Sequence, residues 1–176
     1  FSFPVRLEDN GAHSFGAISY PGDSINQEYL EDILVGYRWH DTKKIPARYS
    51  FGHGLSYTSF DYGKPVASAK TIGSDESLTI TIPVRNTGDR DGKETVQLYI
   101  GDDKASVLRP LKELKGFEKI ELAPGEEKTV NFTITPDALK FYDDKTASWV
   151  AEPGKFRAYI GSSSTDIRAT VPYAPQ

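Results

Sequence analysis

Residues able to do chemistry come closest together once in this chain, at Arg38-Trp39-His40-Asp41. An indole face stacks on the C–H face of a sugar ring, and a guanidinium, imidazole or carboxylate beside it bonds the hydroxyls. Arg38, Trp39 and His40 are therefore the candidate rim of a binding pocket. The plainer alternative, which the sequence favours, has Trp39 filling a domain interface and Arg38 paired there with a carboxylate. The other acids suggest less. Glu8-Asp9, Asp102-Asp103 and Asp143-Asp144 are adjacent doublets, and neighbours on a strand point to opposite faces, which suits no catalytic pair. Asp89-Arg90-Asp91-Gly92 hints at a calcium loop. With Gly92 at the loop glycine, however, Thr87 and Leu98 fall at the first and the bidentate ligand positions, and the loop fails. His13, His40 and His53 are too scattered for a zinc spacing, and there is no Cys to assist them, so no metal is expected. His53, between Gly52 and Gly54, reads as part of a structural turn. Asn131-Phe132-Thr133 fits a glycosylation acceptor and is read as surface.

The 21 basic and 25 acidic residues give a net charge of −4. That lacks the basic footprint of a nucleic-acid binder. No apolar run approaches the ~20 residues of a membrane span. The absence of Cys is compatible with cytoplasm, periplasm or secretion, and assigns none of them. Among 176 residues there is no Met, and the chain opens on Phe1-Ser2-Phe3-Pro4. It is expected to be a piece of a larger polypeptide.

From about Val66 onward the pattern is strand. Leu78, Ile80, Ile82 and Val84 alternate with Thr79, Thr81, Pro83 and Arg85, the period of a half-buried strand. Pro83 cannot donate to a ladder, which predicts an edge strand or a bulge. Val96, Leu98 and Ile100 alternate with Thr95, Gln97 and Tyr99; Val130, Phe132 and Ile134 repeat the motif, as do Phe156, Ala158 and Ile160. Turn chemistry separates the strands, notably Ala123-Pro124-Gly125-Glu126, which suits a type II turn, while Pro136 to Leu139 predicts a single helical turn opened by proline. Short strands at this spacing predict an antiparallel β-sandwich. The first 60 residues differ, with aromatics but neither sustained alternation nor a complete helix. Ile33-Leu34-Val35 reads as a strand buried on both faces, as in a parallel sheet whose partners are missing, and Asn26 to Asp32 as a helical turn leading into it. Such a segment is expected to pack against polypeptide outside this sequence.

These features together resemble the C-terminal region of glycoside hydrolase family 3. Val35-Gly36-Tyr37-Arg38-Trp39-His40-Asp41 is similar to its V-G-Y-R-x-x-D signature. Phe51-Gly52-His53-Gly54-Leu55-Ser56-Tyr57-Thr58-Ser59-Phe60 follows F-G-[HY]-G-L-S-Y-T-x-F almost letter for letter. Val84 to Gly88, Val96 to Ile100 and Arg109 to Phe117 resemble the family's fibronectin type III-like domain. The resemblance implies a mainly β chain: a remnant of an α/β sandwich domain and linker over 1–60, then a fibronectin type III-like (Ig-like) sandwich over 61–176. It further implies a parent β-glucosidase that hydrolyses oligo- or aryl β-glucosides with retention, through two carboxyl groups about 5–5.5 Å apart. No residue here matches either of those positions, so catalytic residues and cofactors are expected to be none. The expected partner is the remainder of the same enzyme, with no nucleic acid and no membrane. Two competing readings stand beside this one. The sandwich could be a carbohydrate-binding module, with Tyr99, Tyr142, Trp149 and Tyr159 as its aromatic platform, or a cell-surface adhesion module.

Overall fold

The computed structural model describes residues 1–73 and 75–175. The amino-terminal part holds a two-residue strand β1 (Phe3–Pro4), two short 3-10 turns, one helix α1 (Tyr37–Lys43) and strand β2 (Ala47–Tyr49), which pairs antiparallel with β1. Then follow β3 (Phe60–Tyr62), β4 (Val66–Ala67), β5 (Thr71–Ile72), β6 (Leu78–Asn86), β7 (Gly92–Asp102), β8 (Glu113–Leu122) and β9 (Glu127–Ile134). A 3-10 turn at Pro136–Leu139 leads to a hairpin of β10 (Phe141–Asp143) and β11 (Ser148–Val150), and the chain finishes with β12 (Phe156–Gly161) and β13 (Ile167–Pro175).

The long strands form two sheets. One runs β5-β13-β12-β7-β8; in the other, β6 is flanked by β9 on one side and by β3 and β4 on the other. All pairings are antiparallel except β5 with β13. The alternating apolar residues meet between the sheets. Leu78, Ile80, Ile82 and Val84 of β6 are fully buried, as are Val130 of β9 and Phe156, Ala158 and Ile160 of β12. Burying each of the larger of these, the Leu, Ile, Val and Phe side chains, contributes roughly 1.5–3 kcal/mol, which is why the alternation dictates the fold. Between β8 and β9, Gly125 takes φ +75 in the turn from Ala123 to Glu126. This is the left-handed third position a type II turn demands.

Three local expectations need correction. Pro83 is neither on an edge strand nor at a bulge, for β6 is central and pairs with β9 without a break in register. The Pro83 carbonyl accepts from the Gly63 N–H at 2.9 Å, on the side where the chain passes from β3 to β4. Two half-length strands share that side, and the prolyl nitrogen falls in the gap between them, where no donor is called for. The amino-terminal part does contain a helix, α1. The run Ile33-Leu34-Val35 is not a strand: Leu30 to Ile33 form a turn, and only Leu34 is buried. A central strand needs a neighbour on each side, and among the described residues it has none.

Candidate functional site

The strand β7 is buried on both faces. Val96, Leu98 and Ile100 enter the core, while Gln97 and Tyr99, on the opposite face, are 4% and 0% exposed. What covers them is the segment from Tyr37 to His53. This junction contains the cluster Arg38-Trp39-His40-Asp41, and His53 at its end.

The helix α1 has Gly36 as its N-cap, with no side-chain cap, so tertiary contacts hold it in place. One side faces the sandwich. The Tyr37 ring lies 5.1 Å from Phe51 and edge-on to Tyr99 at 5.6 Å, and its hydroxyl accepts from the Leu114 N–H at 2.8 Å. Arg38 reaches Glu113 at 3.3 Å. The Lys112 ammonium donates to Asp41 at 2.6 Å, with both side chains only 7% exposed. The Leu111 N–H donates to Thr42 Oγ1 at 2.9 Å. The other side faces the amino-terminal segment. Trp39 is buried edge-on to Phe15 at 5.7 Å, and its indole N–H donates to the Asp9 carbonyl at 3.1 Å. His40 is also buried, its Nδ1 3.0 Å from the Ile45 carbonyl; since a carbonyl only accepts, Nδ1 carries the proton. A recess of about 260 Å³ opens beside His40 and Asp41, between Ser2 and Ser164. Arg38 and Trp39 do not line it.

Burial pushes the Asp41 carboxyl above its usual range, against the opposing pull of Lys112. Lys115, on β8 beside Glu113, is lowered by burial. Glu113 is the hub of the charged group, since it takes Arg38, Arg109 and Lys115 within 3.7 Å. The sequence contained this cluster in Arg109 to Lys115, but alternation in β8 gave no hint that these polar residues would share one end of the sheet. A second polar group was also missed. Tyr62 donates to Glu94 at 2.7 Å, Arg168 lies over the Tyr62 ring, and burial pushes both the phenol and the Glu94 carboxyl up.

The acidic doublets have structural partners. The Asp9 carboxylate accepts from the Arg6 N–H, Asp102 faces Arg109 at 3.7 Å, Asp103 pairs with Arg157 at 2.9 Å, and Asp143 bonds the turn at Lys145 and Thr146. His53 lies 5.4 Å from the Tyr49 ring in a tilted arrangement and is exposed. Of the four aromatics considered as a sugar platform, Tyr99 is fully buried and Tyr159 half-buried. Tyr142 and Trp149 are exposed and face each other across the hairpin at 5.7 Å. The junction is thus a clamp between two parts of the chain. Three carboxyl groups, those of Asp41, Asp102 and Asp103, do line one open recess, and each has a cation as partner: Lys112, Arg109 and Arg157.

Comparison with known proteins agrees with this architecture. A family model described as a fibronectin type III-like domain matches residues 94–164. The chain is 63% identical over 173 residues to the β-glucosidase BoGH3A of Bacteroides ovatus, which is 98% of this chain and 23% of that protein. It is 45% identical over 166 residues to thermostable β-glucosidase B of Acetivibrio thermocellus, 94% of this chain and 22% of that protein. Among solved structures, the GH3 β-glucosidase of Bifidobacterium adolescentis superposes with a TM-score of 0.90 at 34% identity, over 99% of this chain and 25% of that one. The chain spans about a quarter of the length of the relatives it matches. Over nearly its whole length the chain matches the C-terminal part of the glycoside hydrolase family 3 β-glucosidases, and within that match residues 94–164 are similar to the fibronectin type III-like domain.

Proposed function

We propose that this chain is the bracing portion of a β-glucosidase that releases terminal β-D-glucosyl residues from oligo- or aryl β-glucosides with retention. Residues 1–60 complete an α/β domain and supply the linker, and residues 61–176 form the sandwich. The partner is the remainder of the same enzyme, which carries the two carboxyl groups that the reaction requires.

One observation carries this reading: the uneven quality of the two parts as folded protein. Among the described residues, 15 of the 22 exposed large hydrophobic side chains lie in the first 60 positions, a third of the chain. Four of the six buried side-chain polar atoms without a hydrogen bond are there too, in Ser2, His13, Ser19 and Glu31. Apolar surface in water and buried polar atoms without partners both raise the free energy. A large covering body would relieve both. In this reading Arg38, Trp39 and His40 hold the junction rather than line the substrate pocket: Trp39 and His40 are committed to the amino-terminal segment, Arg38 to the sandwich.

The test is an assay of the purified 176-residue chain on aryl β-glucosides beside the complete polypeptide. The complete polypeptide is expected to turn over substrate and the chain to be inert. Turnover by the chain alone would overturn the proposal.

A further inference from the structure

Four aromatic rings form a stair along one side of the junction. Phe1 stands 6.4 Å from Phe3, Phe3 6.3 Å from Tyr49 across the β1–β2 pair, and Tyr49 5.4 Å from His53. Just past the last step, Leu55 is 94% exposed and Tyr57 93%. A floppy loop could show such residues to water in passing, but this loop is pinned on both flanks. Before the tip, the Phe51 ring lies on Tyr37, and its carbonyl accepts from the Ser164 N–H at 2.9 Å. Gly52, at φ +83, presses on the Gln97 amide, where any Cβ would overlap it. After the tip, Thr58 Oγ1 donates to Asn86 at 2.6 Å, and the Ser59 carbonyl accepts from the Thr87 N–H at 2.8 Å. Leu55 and Tyr57 are therefore held out in water by a rigid frame, an arrangement that marks a surface awaiting a partner.

We infer that the aromatic stair and the loop tip form one continuous apolar ridge along which the larger remainder of the same polypeptide docks. The inference rests on the proposed function, and it adds a second grip. The first 36 residues attach the body through the α/β remnant, while the ridge attaches it through a loop whose frame is the sandwich itself. The sandwich is then fixed in place instead of swinging on a tether. Three observations select this occupant. The ridge is continuous with the bare apolar face of the amino-terminal segment, since Phe1 and Phe3 belong to both. The matched part is 23% of the Bacteroides relative, so a body several times larger is at hand to cover it. From Phe51 to Phe60 there is no Asp, Glu, Lys or Arg, so the occupant is recognised by shape and apolar contact and not by charge.

Hydroxyl-radical footprinting of the complete polypeptide and of this chain alone, both at low micromolar concentration, tests the inference. Leu55, Tyr57 and Tyr49 are expected to react at least several-fold more slowly in the complete polypeptide, with Tyr142 and Trp149 as exposed references. Suppose Ile25 and Tyr29 of the first segment are protected while Leu55 and Tyr57 react as in the isolated chain. The ridge is then no docking surface, although the proposed function stands. If neither group is protected, both fall. Protection of Tyr57 that appears in the isolated chain as its concentration rises would assign the ridge to a second copy and overturn the inference. A double variant, Leu55→Asp with Tyr57→Asp, is expected to lower the unfolding midpoint of the complete polypeptide and leave that of the isolated chain unchanged. Equal lowering of both would mark the loop as internal to the sandwich and overturn the inference as well.

Discussion

Arg109 joins four parts of the sandwich through one guanidinium. It donates to the Leu139 carbonyl and to Glu113, each at 3.1 Å, faces Asp102 at 3.7 Å, and lies over the Phe141 ring at 5.6 Å. Its side chain is 7% exposed and that of Asp102 is 3%. Removing the cation leaves a buried carboxylate without compensation, so Arg109→Ala is expected to cost about 3–5 kcal/mol, read as a lower urea midpoint at unchanged slope. Arg109→Lys should recover only part of this, because an ammonium cannot serve the carbonyl and two carboxylates from one plane. Glu94 predicts a pH effect. Burial raises its carboxyl from the ordinary 4.5, so the folded state holds a proton that the unfolded chain has released. Stability from this group is complete below the unfolded value and is lost as pH rises through the raised one. Glu94→Gln keeps an acceptor for Tyr62 and removes the titration. The stability of the native chain relative to that variant should fall as pH climbs above about 4.5 and then level off, as thermal melts across pH would show. Neither residue was legible beforehand, because what matters about each is a partner far along the chain. Trp39 and Arg38 stood out in the sequence, but the sequence left them between two uses, a sugar-binding rim and an interface pair; the ion pair of Arg38 with Glu113 and the burial of Trp39 required the structure.

Among the elements, the sandwich strands were readable because a face that alternates has one physical explanation. The 3-10 turn at Pro136–Leu139 and the Gly125 turn followed from residue chemistry alone. The helix α1 was hidden for the opposite reason. Its seven residues, Tyr37 to Lys43, carry no apolar stripe and no capping side chain, and it exists because Tyr37, Arg38, Asp41 and Thr42 all bond to the sandwich. Pro83 misled because the rule that keeps proline off central strands assumes full-length neighbours. Tyr99 and Gln97 misled because alternation cannot show that the polar face of β7 will itself be covered. That cover yields an element-scale prediction. A chain beginning at Tyr37 keeps α1 and the loop, losing the amino-terminal cover of Trp39 but not that of Tyr99 and Gln97. A chain beginning at Phe60 bares Tyr99 and Gln97 and loses the Leu114 bond to Tyr37. It should be weaker by about 3 kcal/mol or more. Chemical unfolding of the two truncations checks this, and equal midpoints would show that the wrap adds nothing.

At the scale of the molecule, the chain is three layers deep over its larger sheet: the smaller sheet, the larger one, and the folded linker. The amino-terminal third stood apart in the sequence, since its aromatic residues show no periodicity and suit neither a polar linker nor a regular element. The details of its path were not legible, because without alternation or capping residues no local rule dictates it. The third layer bears on how such a module travels between proteins in evolution. A sandwich whose central strand is roofed by the preceding segment cannot be transplanted at the customary seam, just ahead of the first strand, without tearing off that roof. Gene fusions that succeed with it should carry the stretch upstream of that seam as cargo, which makes the heritable unit larger than the fold that gives it a name.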